Sequence, residues 1–310
     1  MCGICGIYKY GQVQGEITQS LIVSMRDRMV HRGPDDAGVY ISPDGRVGLG
    51  HRRLAIIDLS PAGRQPMANE DGTVWISFNG EIYNHSKLRG ELISKGHIYT
   101  SESDTETIVH LYEERGLDFV SALDGMFTIA LWDSKESRLI LVRDRLGKKP
   151  LYYTQLSGQL LFASEIKSLL AHPSVTRDID EEALYHYLTF LTTPTPHTLF
   201  HGIKKLPPGH LLICDAKGTI KVQRYWDAIV PAPKEEYSEQ FCIERIRTLL
   251  SEAVGKRMMS DVPFGVFLSG GIDSSANVAL MARLMNQPVR TFTVGFNAAD
   301  GYNELEYARQ

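Results

Sequence analysis

A change of rhythm near residue 205 constrains the fold of this chain more than any other feature. Before it, short strand-like stretches follow one another, each bounded by Gly, Pro, Asn or Asp. The first is CGICGIYKYG, ending at Gly11; then come Gly38–Ile41, Val47–Gly50, Leu54–Asp58 and Val74–Phe78. Met126–Trp132, Arg138–Arg143, Pro150–Thr154 and Gln159–Ala163 continue the series. Helical spacing is confined to Ile17–Val30, Ser86–Lys95 and Thr105–Arg115. Many strands and few helices, out of strict βα alternation, predict an α+β layered sandwich. After the change, an amphipathic helix over Glu239–Met258 precedes an apolar strand (Val262–Leu268), the turn SGGIDSS, a helix (Ala276–Met285) and a second strand (Val289–Phe296). Strand, glycine-rich turn, helix, strand is a βαβ unit and implies a parallel sheet with covered faces. Prolines in Lys204–Gly209 and in Ala228–Glu236 end regular elements and place the boundary between them.

Composition narrows the partners. The 310 residues carry a net charge of −4 with no block of like charge, which gives a nucleic-acid partner no electrostatic support. The largely apolar stretch Met126–Trp132, broken at Thr128, is far short of the ~20 residues that span a bilayer, so no membrane partner is expected. Met-Cys-Gly-Ile lacks the basic and apolar regions of a signal peptide, so the expected address is the cytoplasm. Cys2, Cys5, Cys214 and Cys242 do not make a disulfide framework in a chain of this length.

Cys2 follows the initiator methionine and precedes Gly3. A small second residue permits methionine removal, which would leave Cys2 with both a thiol and a free α-amine. That amine has an ordinary pKa of about 7.7–8.0, so it can act as the general base for its own thiol without a histidine. A thiolate attacking a primary amide gives a thioester and releases ammonia. Acyl chemistry also needs donors for the oxyanion, and a glutamine substrate needs its two α-groups held. GHRRLAIIDL (Gly50–Leu59), NGEIYN (Asn79–Asn84) and SESDTE (Ser101–Glu106) offer arginine forks, an amide beside a glycine N–H, and acidic side chains. Each also has a structural reading: a solvated basic face, a hairpin Asn-Gly turn, and a helix N-cap at Ser103 or Asp104. Cys2-x-x-Cys5 has redox spacing as well, with no second Cys or His pair to complete a zinc site.

Ser269-Gly270-Gly271-Ile272-Asp273-Ser274-Ser275 lies on the predicted strand-to-helix turn. Two glycines let main chain approach an anion, the helix N-terminus adds N–H donors, and three hydroxyls can bind phosphate oxygens. Asp273 beside phosphates suggests an intervening Mg²⁺. The Gly-Lys-Ser/Thr ending of a Walker A loop is absent.

The motifs CGICG, HRGPD (His31–Asp35), GHRRLAIIDLS (Gly50–Ser60), NGEIYNH (Asn79–His85), LDGMF (Leu123–Phe127), RDRLGKKPLYY (Arg143–Tyr153), ASEIKSL (Ala163–Leu169) and PPGH (Pro207–His210) occur in this order. Together they resemble the class II glutamine amidotransferase domain, and more narrowly the glutamine-hydrolysing asparagine synthetases. SGGIDSS resembles the pyrophosphate loop of ATP pyrophosphatases, and YNELEYAR (Tyr302–Arg309) fits the same family. The resemblance implies an N-terminal-nucleophile α-β-β-α sandwich over residues 2–210, a linker over 211–237, and the beginning of an α/β parallel-sheet ATP-pyrophosphatase domain over 238–310.

It also implies roles. Cys2 would be the nucleophile, with Asn79 and the Gly80 N–H as the oxyanion hole. Arg53 would bind the glutamine α-carboxylate, Asp104 and the Glu81 region its amine, and main chain at Leu54, Ala55, Ile56 and Ile57 would line the pocket. Arg52 stands where some members carry glutamate, so the choice between Arg52 and Arg53 rests on motif register. Ser269, Gly270, Gly271, Asp273, Ser274 and Ser275 would hold ATP, with main chain near Phe267 and Val294 at the adenine and Mg²⁺ at Asp273. The implied reaction hydrolyses glutamine to glutamate and ammonia, and the ammonia amidates aspartate activated by ATP as β-aspartyl-AMP. A protected path for ammonia follows by analogy, and the family often forms homodimers. Amidotransferases of phosphoribosyl pyrophosphate or fructose phosphate do not carry SGGxDSS. An enzyme amidating another carboxylate, a glutamine-binding regulatory module and a CxxC redox protein stand as alternatives. The family's synthetase domain continues beyond this point, so a C-terminally truncated chain is expected, competent for the glutaminase half alone.

Overall fold

The computed structural model describes residues 1–11, 16–229, 236–296 and 303–310. Residues 230–235 of the expected linker and Tyr302 of the last motif lie outside the described residues. Contacts divide the chain into two units, Met1–Val230 and Pro231–Gln310.

The first unit runs β1 (Gly3–Lys9), α1 (Gln19–Asp27), β2 (Asp36–Ile41), β3 (Val47–Arg53), β4 (Met67–Ala68), β5 (Val74–Ile82), α2 (His85–Ser94), α3 (Asp104–Arg115) and β6 (Gly125–Asp133). It continues with β7 (Arg138–Arg143), β8 (Tyr152–Leu156), β9 (Gln159–Ala163), α4 (Ile166–Leu169), α5 (Glu181–Phe190), β10 (Ile203–Lys205), β11 (His210–Cys214) and β12 (Ile220–Arg224). The strands form two six-stranded sheets, β10-β8-β9-β1-β3-β2 and β12-β11-β7-β6-β5-β4, in which every neighbouring pair is antiparallel.

Period-two alternation explains how they stack. In β1, Ile4 and Tyr8 enter a core shared with Leu49 and Phe162 of their own sheet and Trp132, Leu141 and Leu212 of the other. Cys5 and Ile7 point the opposite way, against Ile22 and Met25 of α1. On the far face of the second sheet, Ile76, Phe78, Ile129 and Val142 pack with Leu88 and Leu92 of α2 and Ile108 and Leu111 of α3. Each such buried side chain contributes about 1.5–3 kcal/mol. The layers are therefore helix, sheet, sheet, helix: the expected α-β-β-α sandwich.

Three expectations change. Leu54–Asp58 is not a strand: after β3 the chain folds around the Arg53 guanidinium, which takes main-chain carbonyls that a strand would need for pairing. Asn79-Gly80 is not a hairpin turn: both lie inside β5, opposite Thr128 and Phe127 of β6. The linker expected from residue 211 starts later, because β11 pairs with β7 over Leu211–Cys214 and β12 closes that edge through Arg224. HLLIC is a short continuous apolar run that forms a strand directly after the prolines.

The second unit comprises α6 (Glu239–Arg257), β13 (Val266–Phe267), α7 (Ile272–Leu284), β14 (Thr291–Phe292) and α8 (Leu305–Arg309). Ser238 caps α6, its Oγ accepting from the Phe241 N–H at 3.2 Å. β13 and β14 pair in parallel through Val266–Thr291 and Phe267–Phe292. Strand, turn, helix, parallel strand is the expected βαβ order. Both strands are shorter than their apolar runs, since a ladder extends only where a neighbour supplies partners. Met281 is the buried apolar side chain among the described residues of this unit, while Phe241, Leu249, Ile272 and Phe292 are exposed.

Candidate active site

The ends of β3 and β5, the first turn of α3 and the residues preceding β1 and β8 enclose one pocket that opens to solvent. It is lined by Met1, Cys2, Leu54, Ile56, Ile57, Gln65, Phe78, Asn79, Gly80, Glu81, Ser103, Asp104, Thr105 and Lys149. Four sequence motifs far apart in the chain thus meet around Cys2.

The nucleophile candidate is held from two sides. Arg32 of HRGPD donates from Nε to the Cys2 carbonyl oxygen at 2.9 Å and from Nη1 to Glu165 of ASEIKSL at 3.0 Å. The Leu54 N–H approaches Cys2 Sγ at 3.4 Å, and the thiol faces the Leu54 carbonyl oxygen at 3.7 Å. Burial pushes the Cys2 thiol above its ordinary pKa; the Leu54 N–H, the amino terminus and Arg53 pull against it. Burial also lowers the pKa of the amino terminus, with Lys149 and Arg32 adding to the effect.

Asn79 is 1% exposed, yet its Nδ2 has no hydrogen-bond partner. A buried unpaired amide N–H is costly and marks a donor built for something absent. Gly80 beside it is required by packing, because a Cβ there would overlap the Met126 carbonyl oxygen of β6. At the far wall, Ser103 caps α3, its Oγ accepting from Thr105 N–H at 3.2 Å, which leaves Asp104 free to turn inward. Asp104 accepts from the Ile82 N–H at 2.9 Å. Burial raises its pKa to about 7 against that hydrogen bond, and Glu81 adds to the rise.

Cys2, Leu54, Ile56, Ile57, Asn79, Gly80, Glu81 and Asp104 are thus brought together as expected from the sequence. Arg53 and Ala55 are not on the lining. The Arg53 guanidinium is buried on the carbonyl oxygens of Ile57, Asp58 and Ser60, because a desolvated fork must find acceptors. The Ala55 N–H goes to Asp35 of HRGPD at 2.9 Å. Arg52 donates to the Gly33 carbonyl oxygen at 2.9 Å. His51 is fully buried and burial lowers its pKa to about 4, so the basic-looking HRR is not a solvated face. Cys5 lies fully buried under α1, and burial pushes its thiol up to about 12, which argues against a redox role with Cys2.

Gln65, Thr105 and Lys149 were not singled out from the sequence. Gln65 bridges the wall, accepting from Phe78 N–H at 2.6 Å and donating to Thr105 Oγ1 at 3.0 Å. Lys149 stands in the quoted motif RDRLGKKPLYY, where its position beside Pro150 was the available signal.

For a metal, the candidate ligands among the described residues are Glu70, His97 and His110, whose donor atoms lie within 4.8 Å of one another. Burial opposes a charge on His110, but the Glu106 carboxylate at 3.9 Å and the hydrogen-bonded Glu113 carboxylate at 3.1 Å prevail and raise its pKa to about 9. A proton balances the carboxylates there, and the group is an ion-pair network.

In the second unit, Gly270 has φ +79°, and a Cβ on it would overlap Tyr307 of α8. Ser269 and Ser274 hydroxyls meet at 3.0 Å, and the Gly271 N–H donates to Ser269 Oγ at 3.3 Å. Asp273 lies in the first turn of α7, and Phe267 and Val294 are exposed. Hydroxyls gathered at the start of a 13-residue helix suit a phosphate chain.

A half-buried cysteine next to the amino terminus, sharing one pocket with an unpaired amide donor in a four-layer sandwich, is the arrangement of an N-terminal-nucleophile fold. The chain belongs to the glutamine amidotransferase domain family, whose sequence profile matches residues 1–226. A second profile, described as asparagine synthase, matches residues 245–310. The chain is 40% identical over 311 residues to "Asparagine synthetase [glutamine-hydrolyzing] 1" of Bacillus subtilis, covering 100% of this chain and 48% of that protein. It is 37% identical to "Amidase chry2" of Gibberella zeae, covering 95% of this chain and 45% of that one. The chain spans about half the length of these curated relatives. Among solved structures it is similar to a glutamine phosphoribosylpyrophosphate amidotransferase from B. subtilis, with a TM-score of 0.54 and 18% identity over 94% of this chain and 65% of that one. That likeness concerns the fold. No helix among the described residues is long and apolar enough to cross a membrane.

Proposed function

We propose that the first unit hydrolyses glutamine to glutamate and ammonia at Cys2, and that the ammonia serves ATP-dependent amidation of aspartate begun in the second. The unpaired Asn79 Nδ2 in the Cys2 pocket is the observation that carries this reading. Met1 lines the pocket, so its removal frees the Cys2 α-amine and clears space for a ligand. The amine then takes the thiol proton, Sγ attacks the side-chain amide carbon, and the oxyanion forms toward Asn79 Nδ2 and the Gly80 N–H. The protonated amine returns its proton to the departing ammonia, and water resolves the thioester. Asp104, with Glu81 near it, pairs with the glutamine α-ammonium. The α-carboxylate falls to the Arg53 loop: a carboxylate is a stronger acceptor than the neutral carbonyls of Ile57, Asp58 and Ser60, so it can exchange with them on the fork.

In the second unit, Ser269, Gly270, Gly271, Asp273, Ser274 and Ser275 would hold the phosphates of ATP, with Mg²⁺ at Asp273 and the adenine near Phe267 and Val294. ATP supplies the leaving group that makes the acceptor carboxylate reactive; the loop's hydroxyls and the α7 N–H groups orient and neutralise the phosphates. Amidation of another carboxylate is a second reading, since the relatives of this chain are not all named as asparagine synthetases. Glutamate and ammonia release from glutamine, lost in Cys2→Ala, tests the first half. Aspartate-dependent ATP–PPi exchange tests the second, and exchange with a different acid alone would replace aspartate as the acceptor.

A further inference from the structure

The turn RDRLGKK is built around two charged side chains, one of them buried. Asp144 is 1% exposed, and its carboxylate accepts from the main-chain N–H groups of Phe127, Leu146, Lys148 and Lys149 at 2.9–3.3 Å. Arg143 closes the same turn, donating to the carbonyl oxygens of Lys149, Leu206 and Gly147 at 2.8–2.9 Å. Charge-assisted hydrogen bonds in this number fix the backbone, and the residue they aim is Lys149. Its side chain lines the pocket with Met1, Cys2 and Glu81 although the residue is only 6% exposed. No hydrogen bond or ion pair takes its ammonium among the described residues. The stem is buried while the ammonium opens onto the pocket, so its charge is not spent on a structural partner and acts on the groups that share the lining.

The charge reaches the thiol and the amino end of the chain. With Met1 in place, Lys149 is, after burial, the largest influence lowering the pKa of the Met1 amine, which stands one residue before the Cys2 amine. Burial lowers the pKa of Lys149 itself, while Glu81 and the Cys2 thiol pull against it. Arg32, Asp35, Arg53, Asp104 and Asp144 make up the other charged surroundings and are untouched by a change at Lys149.

We infer that Lys149 is a positioning residue of the Cys2 site, whose ammonium keeps the thiol–amine pair one proton short, as attack requires, and steadies the negative charge that develops on sulfur and oxygen. This rests on the glutaminase reading above. Neutral amine with thiol and ammonium with thiolate hold the same number of protons, so a nearby cation disfavours the extra, inhibitory proton in either form. Removing it moves the acidic limb of activity to higher pH.

The test uses the full chain as wild type, Lys149→Met, Lys149→Gln and Lys149→Arg, following glutaminase kcat/KM against pH and the rate of Cys2 modification by an electrophilic glutamine analogue. In Lys149→Met and Lys149→Gln both limbs should rise by roughly half to one pH unit, and Lys149→Arg should restore them. Should Lys149→Met fail to fold, the Gln and Arg variants carry the comparison. Limbs that superimpose on wild type would overturn the inference, as would a loss confined to KM at every pH, which would make Lys149 a ligand for the substrate carboxylate. If wild type neither hydrolyses glutamine nor is modified at Cys2, the glutaminase reading itself fails and takes this inference with it.

Discussion

Replacing Asn79 by alanine separates catalysis from stability. In the folded chain the Asn79 amide is 1% exposed and its Nδ2 bonds to nothing. Such a group costs about 1–3 kcal/mol, so truncation relieves a penalty of the same order as the small packing loss it introduces. The two offset, and global stability should stay within about 1 kcal/mol of wild type. If Nδ2 donates to the oxyanion, the chemical step loses about 2.7–4 kcal/mol, or 10²–10³-fold in kcat, with KM changing only a few-fold. Glutamate release at saturating glutamine, beside a urea melt of the same preparation, reads both quantities. A variant with near-normal kcat would refute the oxyanion assignment. A variant that lost 2 kcal/mol or more of stability would refute the claim that the amide is idle in the fold.

Other substitutions probe the neighbouring walls. Asp104→Asn keeps an acceptor for the Ile82 N–H but removes the charge, so KM for glutamine should rise roughly 10–100-fold with little change in kcat. Because burial raises Asp104 to about 7, the native state binds its proton more tightly than the unfolded chain. Its contribution to stability is therefore greatest in acid and declines as pH rises from about 4 to 7, a slope that Asp104→Asn should flatten in pH-dependent melts. Glutamine binding runs the other way: KM should climb as pH falls below about 7 in wild type and not in the variant. Gly80→Ala should destabilise the chain by about 1–3 kcal/mol in denaturant titration, since its Cβ overlaps the Met126 carbonyl oxygen. Arg32→Met releases the Cys2 carbonyl and Glu165, and should lower kcat about tenfold or more while leaving glutamine binding, read by calorimetry, nearly unchanged.

What was legible in the sequence follows from how local each signal is. The apolar runs of β6, β7 and β9 and the helical faces of α2 and α3 are properties of a few adjacent residues, and they lie within a residue or two of where they are expected. Leu54–Asp58 carries a similar apolar run and is a loop, because its carbonyls are taken by Arg53, a partner that local pattern does not see. Cys2, Asn79 and Asp104 were found through motif order, and the fold brings them to one pocket. Lys149 and Gln65 escaped notice because their significance lies in what surrounds them: a turn wound on Asp144, and a bridge from Phe78 to Thr105. Arg53 shows the converse, since its residue type suggested a ligand and its burial gave it three carbonyls.

The central claim, that Cys2 is the nucleophile of a glutamine-hydrolysing site, is tested most directly by treating the chain with an electrophilic glutamine analogue and mapping the modified peptide by mass spectrometry. One adduct is predicted, on Cys2 of a chain that has lost Met1, blocked by excess glutamine. Modification of Cys5, Cys214 or Cys242 instead, or an adduct that glutamine does not prevent, would contradict it.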